Sequence, residues 1–434
     1  MKRLYVDVLA DGCIESFLDF ARSRMAFELG GWTLCDKVED ADLVLTNSCV
    51  VGQLVEDRCA ELILALKKRL KPGAELVVTG CMHAYNMDRL RKLGVDFAYG
   101  ARQLESMLDR YSLAPPPEAS VLEKRYLGPY NKFNWVTDWL QRAANAGIPI
   151  PEHIYRWFAG VEMPDLYYLR INRGCLQACT YCSTRFTVGK LTSNSVEQIL
   201  CRFDKALAEG HRKFALCGEE TGAFGLDRGE DFPTLLEKLL ARRVNFQVHI
   251  RQHHPKYIIA RLQDYRRLLA DPRIASITIP LQSGSDRILG LMRRQHTAAE
   301  ARRMILGLHE AAAHLILRTH LILGFPTETD GDFRESYRLA RDLPWDMVLA
   351  YPYTNRPGTR AAKMEPKVST AAIARRDAII YAMLVGKLYL NDFKRVKLAL
   401  GNPFALPRVV DEEEIPTGEH QGSDKGPNVG RCAS

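Results

Sequence analysis

The 434 residues predict an α/β chain in two parts: an N-terminal open parallel-sheet α/β domain followed by a partial (β/α)6 barrel. Three observations carry that reading. The first hundred residues repeat a short apolar strand, a cysteine and a helix three times; strand and helix patterns alternate again from Tyr167 onward; and a proline- and aromatic-rich stretch separates the two series. With 47% hydrophobic residues, the chain has apolar surface enough for two cores.

In the first series, residues 4–9 read as a strand leading to Cys13 and a helix near 14–29. Residues 43–46 lead to Cys49 and a helix near 54–70, and residues 75–79 lead to Cys81 and a helix near 86–93. Such alternation predicts parallel strands with covering helices. The carboxyl ends of strands in an open sheet form one crevice, where ligands bind, so all three cysteines converge there. They also face helix N-termini, whose partial positive charge favours thiolates. One cysteine after a strand is ordinary packing, whereas three at equivalent positions predict a metal site.

Residues 111–165 break the pattern. Pro115, Pro116 and Pro117 cannot continue a helix, and eight aromatic residues lie between Tyr126 and Phe158. This stretch is expected to be an ordered linker or insertion, a helical strap rather than a substrate lid.

In the second series, strands are expected at 167–171, 213–216, 245–250, 274–279, 315–323 and 347–351. Ser195-Val-Glu-Gln198 and Thr297-Ala-Ala-Glu300 are capping boxes that mark helix starts. A last helix near 370–400 closes the series. The expected domains are therefore 1–110, the linker 111–165, the barrel 166–400 and a polar, acidic tail 401–434.

Cys175, Cys179 and Cys182 stand in the run Arg-Gly-Cys-Leu-Gln-Ala-Cys-Thr-Tyr-Cys, a CxxxCxxC triplet in the loop after the first barrel strand. Three thiolates on one short loop can hold three irons of a [4Fe-4S] cluster and leave the fourth open to a ligand. Structural zinc fits less well, because it wants four ligands, usually in two close pairs. Barrel chemistry sits at the carboxyl ends of strands. The same rim collects Gly218-Glu219-Glu220-Thr221, Gln282-Ser283-Gly284-Ser285 and Gly324-Phe325-Pro326.

The formal charge is +8, but residues 411–434 hold six acids and two bases, so the rest carries 58 bases against 46 acids, or +12. A basic body permits a polyanionic partner without showing one. There is no eighteen-residue apolar run, and the start lacks the apolar core of a signal peptide, so no membrane association and a cytoplasmic location are expected. Eleven cysteines, six of them in two ligand-like groups, fit a reducing compartment better than a disulfide framework.

Taken in order, Cys13, Cys49 and Cys81, then Arg173-Gly174-Cys175 through Cys182, resemble the radical S-adenosylmethionine (radical SAM) methylthiotransferases. Pro280-Leu281-Gln282-Ser283-Gly284-Ser285, Gly324-Phe325-Pro326-Thr327-Glu328-Thr329 and Arg356-Pro357-Gly358-Thr359 extend the resemblance to about residues 1–365. Members replace a C–H bond with C–SCH3 on a hypermodified adenosine of tRNA or on an aspartate of a ribosomal protein. The resemblance implies two [4Fe-4S] clusters. One, on Cys175, Cys179 and Cys182, binds and reductively cleaves S-adenosylmethionine; the other, on Cys13, Cys49 and Cys81, carries or delivers sulfur. It also implies Tyr181 near the adenine, Glu219 and Glu220 at the methionyl amine, Gln282 and Ser283 among the cofactor-binding residues, and an electron donor such as a flavodoxin or ferredoxin.

Some positions depart from the family pattern. Gly189-Lys190 and Ser193-Asn194 replace Arg-Gly and Ser-Arg pairs, Ser16 and Ala84 replace an asparagine and a glutamine, and Asp19 is kept. The small β-barrel with which members end is expected to be missing, because only 34 residues follow the last helix. A tRNA adenosine is the favoured substrate, ahead of a peptide, a ribosomal protein or a specialised metabolite. A cobalamin-dependent radical SAM methylase and a cluster-bearing protein without turnover are the alternatives. Three strand-end cysteines argue against the first and the intact triplet against the second.

Overall fold

The computed structural model describes residues 2–8, 13–100, 102–121 and 166–401. Most of the stretch expected as a linker at 111–165, and nearly all of the tail expected at 401–434, lie outside the described residues.

The first sheet has five parallel strands in the order β2-β1-β3-β4-β5: β1 (Arg3–Asp7), β2 (Thr33–Leu34), β3 (Leu43–Ser48), β4 (Glu75–Gly80) and β5 (Phe97–Tyr99). The three strands read from the sequence form its centre. The two edge strands, of two and three residues, are too short to carry a periodic pattern. Successive side chains of a strand point to opposite faces, and both faces here are buried. Val44, Leu76 and Val78 pack against Ile63 and Leu66 of the helix Gln53–Arg69. Leu43, Leu45 and Val77 pack against Phe20 and Phe27 of the helix Ile14–Leu29 and against Met107 and Leu108 of Leu104–Tyr111. The single helix expected near 86–93 is instead two short ones, Met82–Tyr85 and Met87–Lys92. They break at Asn86, whose side chain accepts from the Arg89 amide.

Gly80 brings β4 close to β3 just before Cys81. Its φ is +104°, and a Cβ there would lie 2.3 Å from the Ser48 carbonyl oxygen. Gly80→Ala should therefore lower stability by about 1–3 kcal/mol, read as an earlier denaturant midpoint. An unchanged midpoint would show that the two strands can move apart at no cost.

The second sheet runs in chain order apart from one insertion. Strand β6 (Tyr167–Arg170) is followed by β7 (Asn172–Arg173) and β8 (Thr192–Ser193), which pair with each other as a small antiparallel ribbon. Strands β9 (Lys213–Cys217), β10 (Gln247–Ile250), β11 (Ile274–Thr278), β12 (Ile316–Leu323) and β13 (Met347–Pro352) then add to β6, all parallel. The six-unit partial barrel is present as expected. Helices cover its outside, with Phe203, Leu235, Leu268, Met304 and Leu308 in one core with the strands. Both expected capping boxes form.

The front domain lies on the first strands of the barrel. Ile14, Phe17 and Leu18 of the helix Ile14–Leu29 bury against Tyr168, Ala215 and Cys217. Arg170, 2% exposed, donates from Nε to Glu15 at 3.0 Å and from Nη1 to Asp19 at 2.7 Å. Arg173 adds a bond to Asp19 at 3.1 Å. Burial alone would raise the Asp19 pKa, but the two guanidiniums outweigh it and hold the carboxyl below its usual range. Among the described residues, no helix is long and apolar enough to cross a membrane.

Candidate functional site

The β7–β8 ribbon closes a loop that carries Cys175, Cys179 and Cys182, and this loop is fixed at several points. The Gly174 amide donates to Glu219 Oε2 at 2.7 Å. Gly174 has a φ of +79°, and a Cβ there would lie 2.2 Å from the Lys190 carbonyl oxygen, so only glycine fits the turn. On the other side, the Thr180 amide donates to the Met292 carbonyl at 3.1 Å, and its hydroxyl to the Leu291 carbonyl at 2.8 Å. Tyr181, next to the last cysteine, packs against Ile288, Met292, Phe325 and Ala361.

Each front cysteine stands between a strand and the helix that follows it. Cys13 caps the helix Ile14–Leu29, its sulfur accepting from the Ser16 amide at 3.4 Å. Cys81 occupies the cap of Met82–Tyr85. Cys49 follows β3, and its amide donates to the sulfur of the buried Cys59 at 3.2 Å. The three thiols lie within each other's electrostatic reach. Among the described residues, no set of three or more His, Cys, Asp or Glu side chains stands closed to metal-ligand spacing. The convergence is one of neighbourhood.

Helix N-termini are expected to favour thiolates here, but burial dominates. It pushes Cys13, Cys49, Cys81 and Cys182 above the ordinary thiol range and Cys175 up to about 12, and neighbouring thiols push most of them further. Thiols in that state ionise only against a cation. Two triplets of half-buried to buried sulfur donors on backbone turns are the kind of donor set that iron–sulfur clusters take.

The two triplets meet across the domain seam. Ser183, directly after Cys182, donates from its hydroxyl to the carbonyl of Val50, directly after Cys49, at 2.9 Å in a buried bond. Thr187 of the barrel loop reaches the Cys81 sulfur. Arg102 of the front domain bonds to the Lys190 carbonyl and to Thr192. Deeper in the seam, Arg356 and Glu56, each 2% exposed, pair at 2.5 Å.

Several buried polar groups surround the barrel triplet. Glu220 Oε1 accepts from the Gly222 amide at 3.0 Å and the His254 amide at 2.9 Å. Burial lifts the Glu219 and Glu220 carboxyls to about 7, with the Glu15 charge adding to the first and the two amides partly offsetting the second. Arg294 reaches Cys179 at 3.5 Å and the Pro280 carbonyl at 2.6 Å, while its Nε has no partner. Burial works against the Arg294 charge, but Tyr181 and Cys179 more than offset it. His254 accepts from the Lys256 amide through Nδ1, leaving Nε2 without a partner, and His296, 6.0 Å away, has both ring nitrogens unpartnered. Burial, then Arg294, holds the His254 imidazole neutral and takes His296 down to about 3.

Gln282 has a φ of +75° and bridges to β12 at Leu321, with its Oε1 buried and unpartnered. Ser283 is 1% exposed and bonds to Ser336 at 3.2 Å and to the Ser285 amide, so its hydroxyl is occupied in holding the turn. In the sequence, His254 and His296 match no motif, and Arg294 stands out only as half of an Arg-Arg pair suited to a basic surface, whereas here it is turned inward to Cys179.

Residues 169–340 match the Radical SAM superfamily, and residues 4–100 match the Uncharacterized protein family UPF0004. The chain belongs to the radical SAM superfamily and carries the UPF0004 domain. That pairing bears out the family its motifs resemble. The threonylcarbamoyladenosine tRNA methylthiotransferases of Xenopus laevis and Homo sapiens are 31% and 30% identical to this radical SAM protein. Each alignment covers 77% of this chain, and 57% and 55% of theirs. The chain thus spans little more than half the length of these relatives. A probable threonylcarbamoyladenosine tRNA methylthiotransferase of Pyrococcus abyssi is 29% identical over 84% of this chain and 79% of its own. In fold, the chain is similar to the radical S-adenosylmethionine methyltransferase TsrM from Kitasatospora setae. The TM-score is 0.56 at 13% identity, over 83% of this chain and 77% of that one.

Proposed function

We propose that this radical SAM protein is a methylthiotransferase that replaces a C–H bond of a modified tRNA adenosine with C–SCH3. The observation that carries the reading is the buried Ser183–Val50 bond, which joins the residues directly after one cysteine of each triplet. Its relatives named as threonylcarbamoyladenosine tRNA methylthiotransferases support the choice of substrate.

The barrel triplet with S-adenosylmethionine, given an electron from a flavodoxin- or ferredoxin-like donor, would supply hydrogen-atom abstraction, and the front triplet's cluster would supply sulfur. The chain's own part is positional. Glu219 and the Thr180 bonds hold the cysteine loop still. Tyr181, directly before Cys182, brings an aromatic ring packed on the cluster of Met292 and Phe325. Arg294 Nε, His254 Nε2 and His296 are buried polar atoms without protein partners beside Cys179 and Glu220, which fits the polar end of S-adenosylmethionine. Glu220 and Glu219 remain the carboxylates for its amine.

The test compares tRNA nucleosides by mass spectrometry from cells with and without this protein. A methylthio-adenosine that disappears on deletion is the expected result. Unchanged nucleosides, with a methylthio peptide or metabolite lost instead, would overturn the substrate and leave the reaction type standing. A lesser effect is expected at the polar end. His296→Phe keeps the ring and removes both nitrogens, so it should raise the KM for S-adenosylmethionine several-fold, as loss of a hydrogen bond worth about 1 kcal/mol requires. An unchanged KM would place that end elsewhere.

A further inference from the structure

The rim beside both triplets carries a surface that the reaction chemistry does not use. Phe186, in the loop after Cys182, is 45% exposed and stacks on Tyr85 of the front domain, with ring centroids 6.3 Å apart and planes at 29°. The Arg185 guanidinium lies over Phe186 at 5.6 Å, and the Arg356 guanidinium over Tyr85 at 4.7 Å. The Tyr85 hydroxyl donates to the Pro357 carbonyl at 2.7 Å, so the pair is held from both domains. Leu176, directly after Cys175, is 52% exposed, and Val51, two residues after Cys49, is 59% exposed.

Charge decides what fits this surface. Residues 183–192 hold Arg185 and Lys190 and no acid, and Arg102 lies against them. An exposed ring with arginine over it and bases around it is the chemistry that receives unpaired nucleotides, which stack on aromatic faces while cations meet their phosphates.

We infer that Phe186, backed by Tyr85 and flanked by Arg185, is a stacking platform for an unpaired RNA base adjoining the nucleotide to be modified. The inference rests on the tRNA reading above and goes further by naming where the neighbouring base sits.

The experiment measures binding of the full chain to fluorescently labelled bulk tRNA over a range of salt concentrations. Phe186→Ala should weaken binding roughly tenfold, as loss of one base–aromatic stack requires. Phe186→Trp should bind at least as tightly as the parent. Arg185→Ala should reduce the slope of log affinity against log salt by about one. Iron content and unfolding midpoint of each variant report folding independently. If the parent binds RNA and neither Phe186→Ala nor Arg185→Ala changes affinity or slope, the platform is wrong while the tRNA reading stands. If the parent binds no RNA and methylthiolates a peptide instead, both fail.

Discussion

Replacing Cys175, Cys179 and Cys182 together with alanine should lower bound iron from about eight to about four per chain and abolish 5'-deoxyadenosine formation under strong reductant. The effect is expected to be total because the other triplet, Cys13, Cys49 and Cys81, is tied to its own strand-end turns. The mirror experiment separates the two roles. Replacing the front triplet should also leave about four irons, yet keep some cleavage of S-adenosylmethionine while removing sulfur insertion. A parent protein with about four irons, or with stoichiometric cobalt, would sink the two-cluster reading. A methylthiolated product from the front-triplet variant would remove the sulfur-delivery role.

The second large effect is expected in the seam. Glu56→Ala should destabilise the protein by about 3–5 kcal/mol, because it leaves the Arg356 guanidinium buried without its counter-ion. The same change strips Asn86 and Arg89 of a carboxylate that they contact at 2.8 and 3.1 Å. Arg356→Met should cost less, since Glu56 keeps those two partners and the methionine fills much of the space. Denaturant melts of both variants decide the matter: equal losses would mean that the pair is exposed to water in solution. Glu56 stands on the helix that follows Cys49, so loss of iron from the front site should accompany its loss of stability.

Sequence carried the fold where strands are long enough to show their pattern. Strands β3 and β4 were legible as apolar runs ending at a cysteine, whereas the two residues of β2 and the two-residue arms of the β7–β8 ribbon were not. The cysteines were legible because their ligand chemistry fixes their spacing. Their surroundings were not, because those contacts are distant in the chain: Arg294 meets Cys179 across 115 positions and Arg356 meets Glu56 across 300. At the cysteines, helix ends and burial act in opposite directions, and without a bound cation burial is the larger effect on the thiols. A helix dipole acts over one turn, while burial acts on the whole group.

Strand β6 is an edge of the barrel sheet, and what covers its inner side chains is the helix Ile14–Leu29. The barrel is therefore not a portable part. A shorter version of this chain starting at Leu166 would leave a bare sheet margin, with Tyr168 wetted and Arg170 robbed of Glu15 and Asp19. Solubility of the barrel half is thus tied to that one helix, which shields the margin.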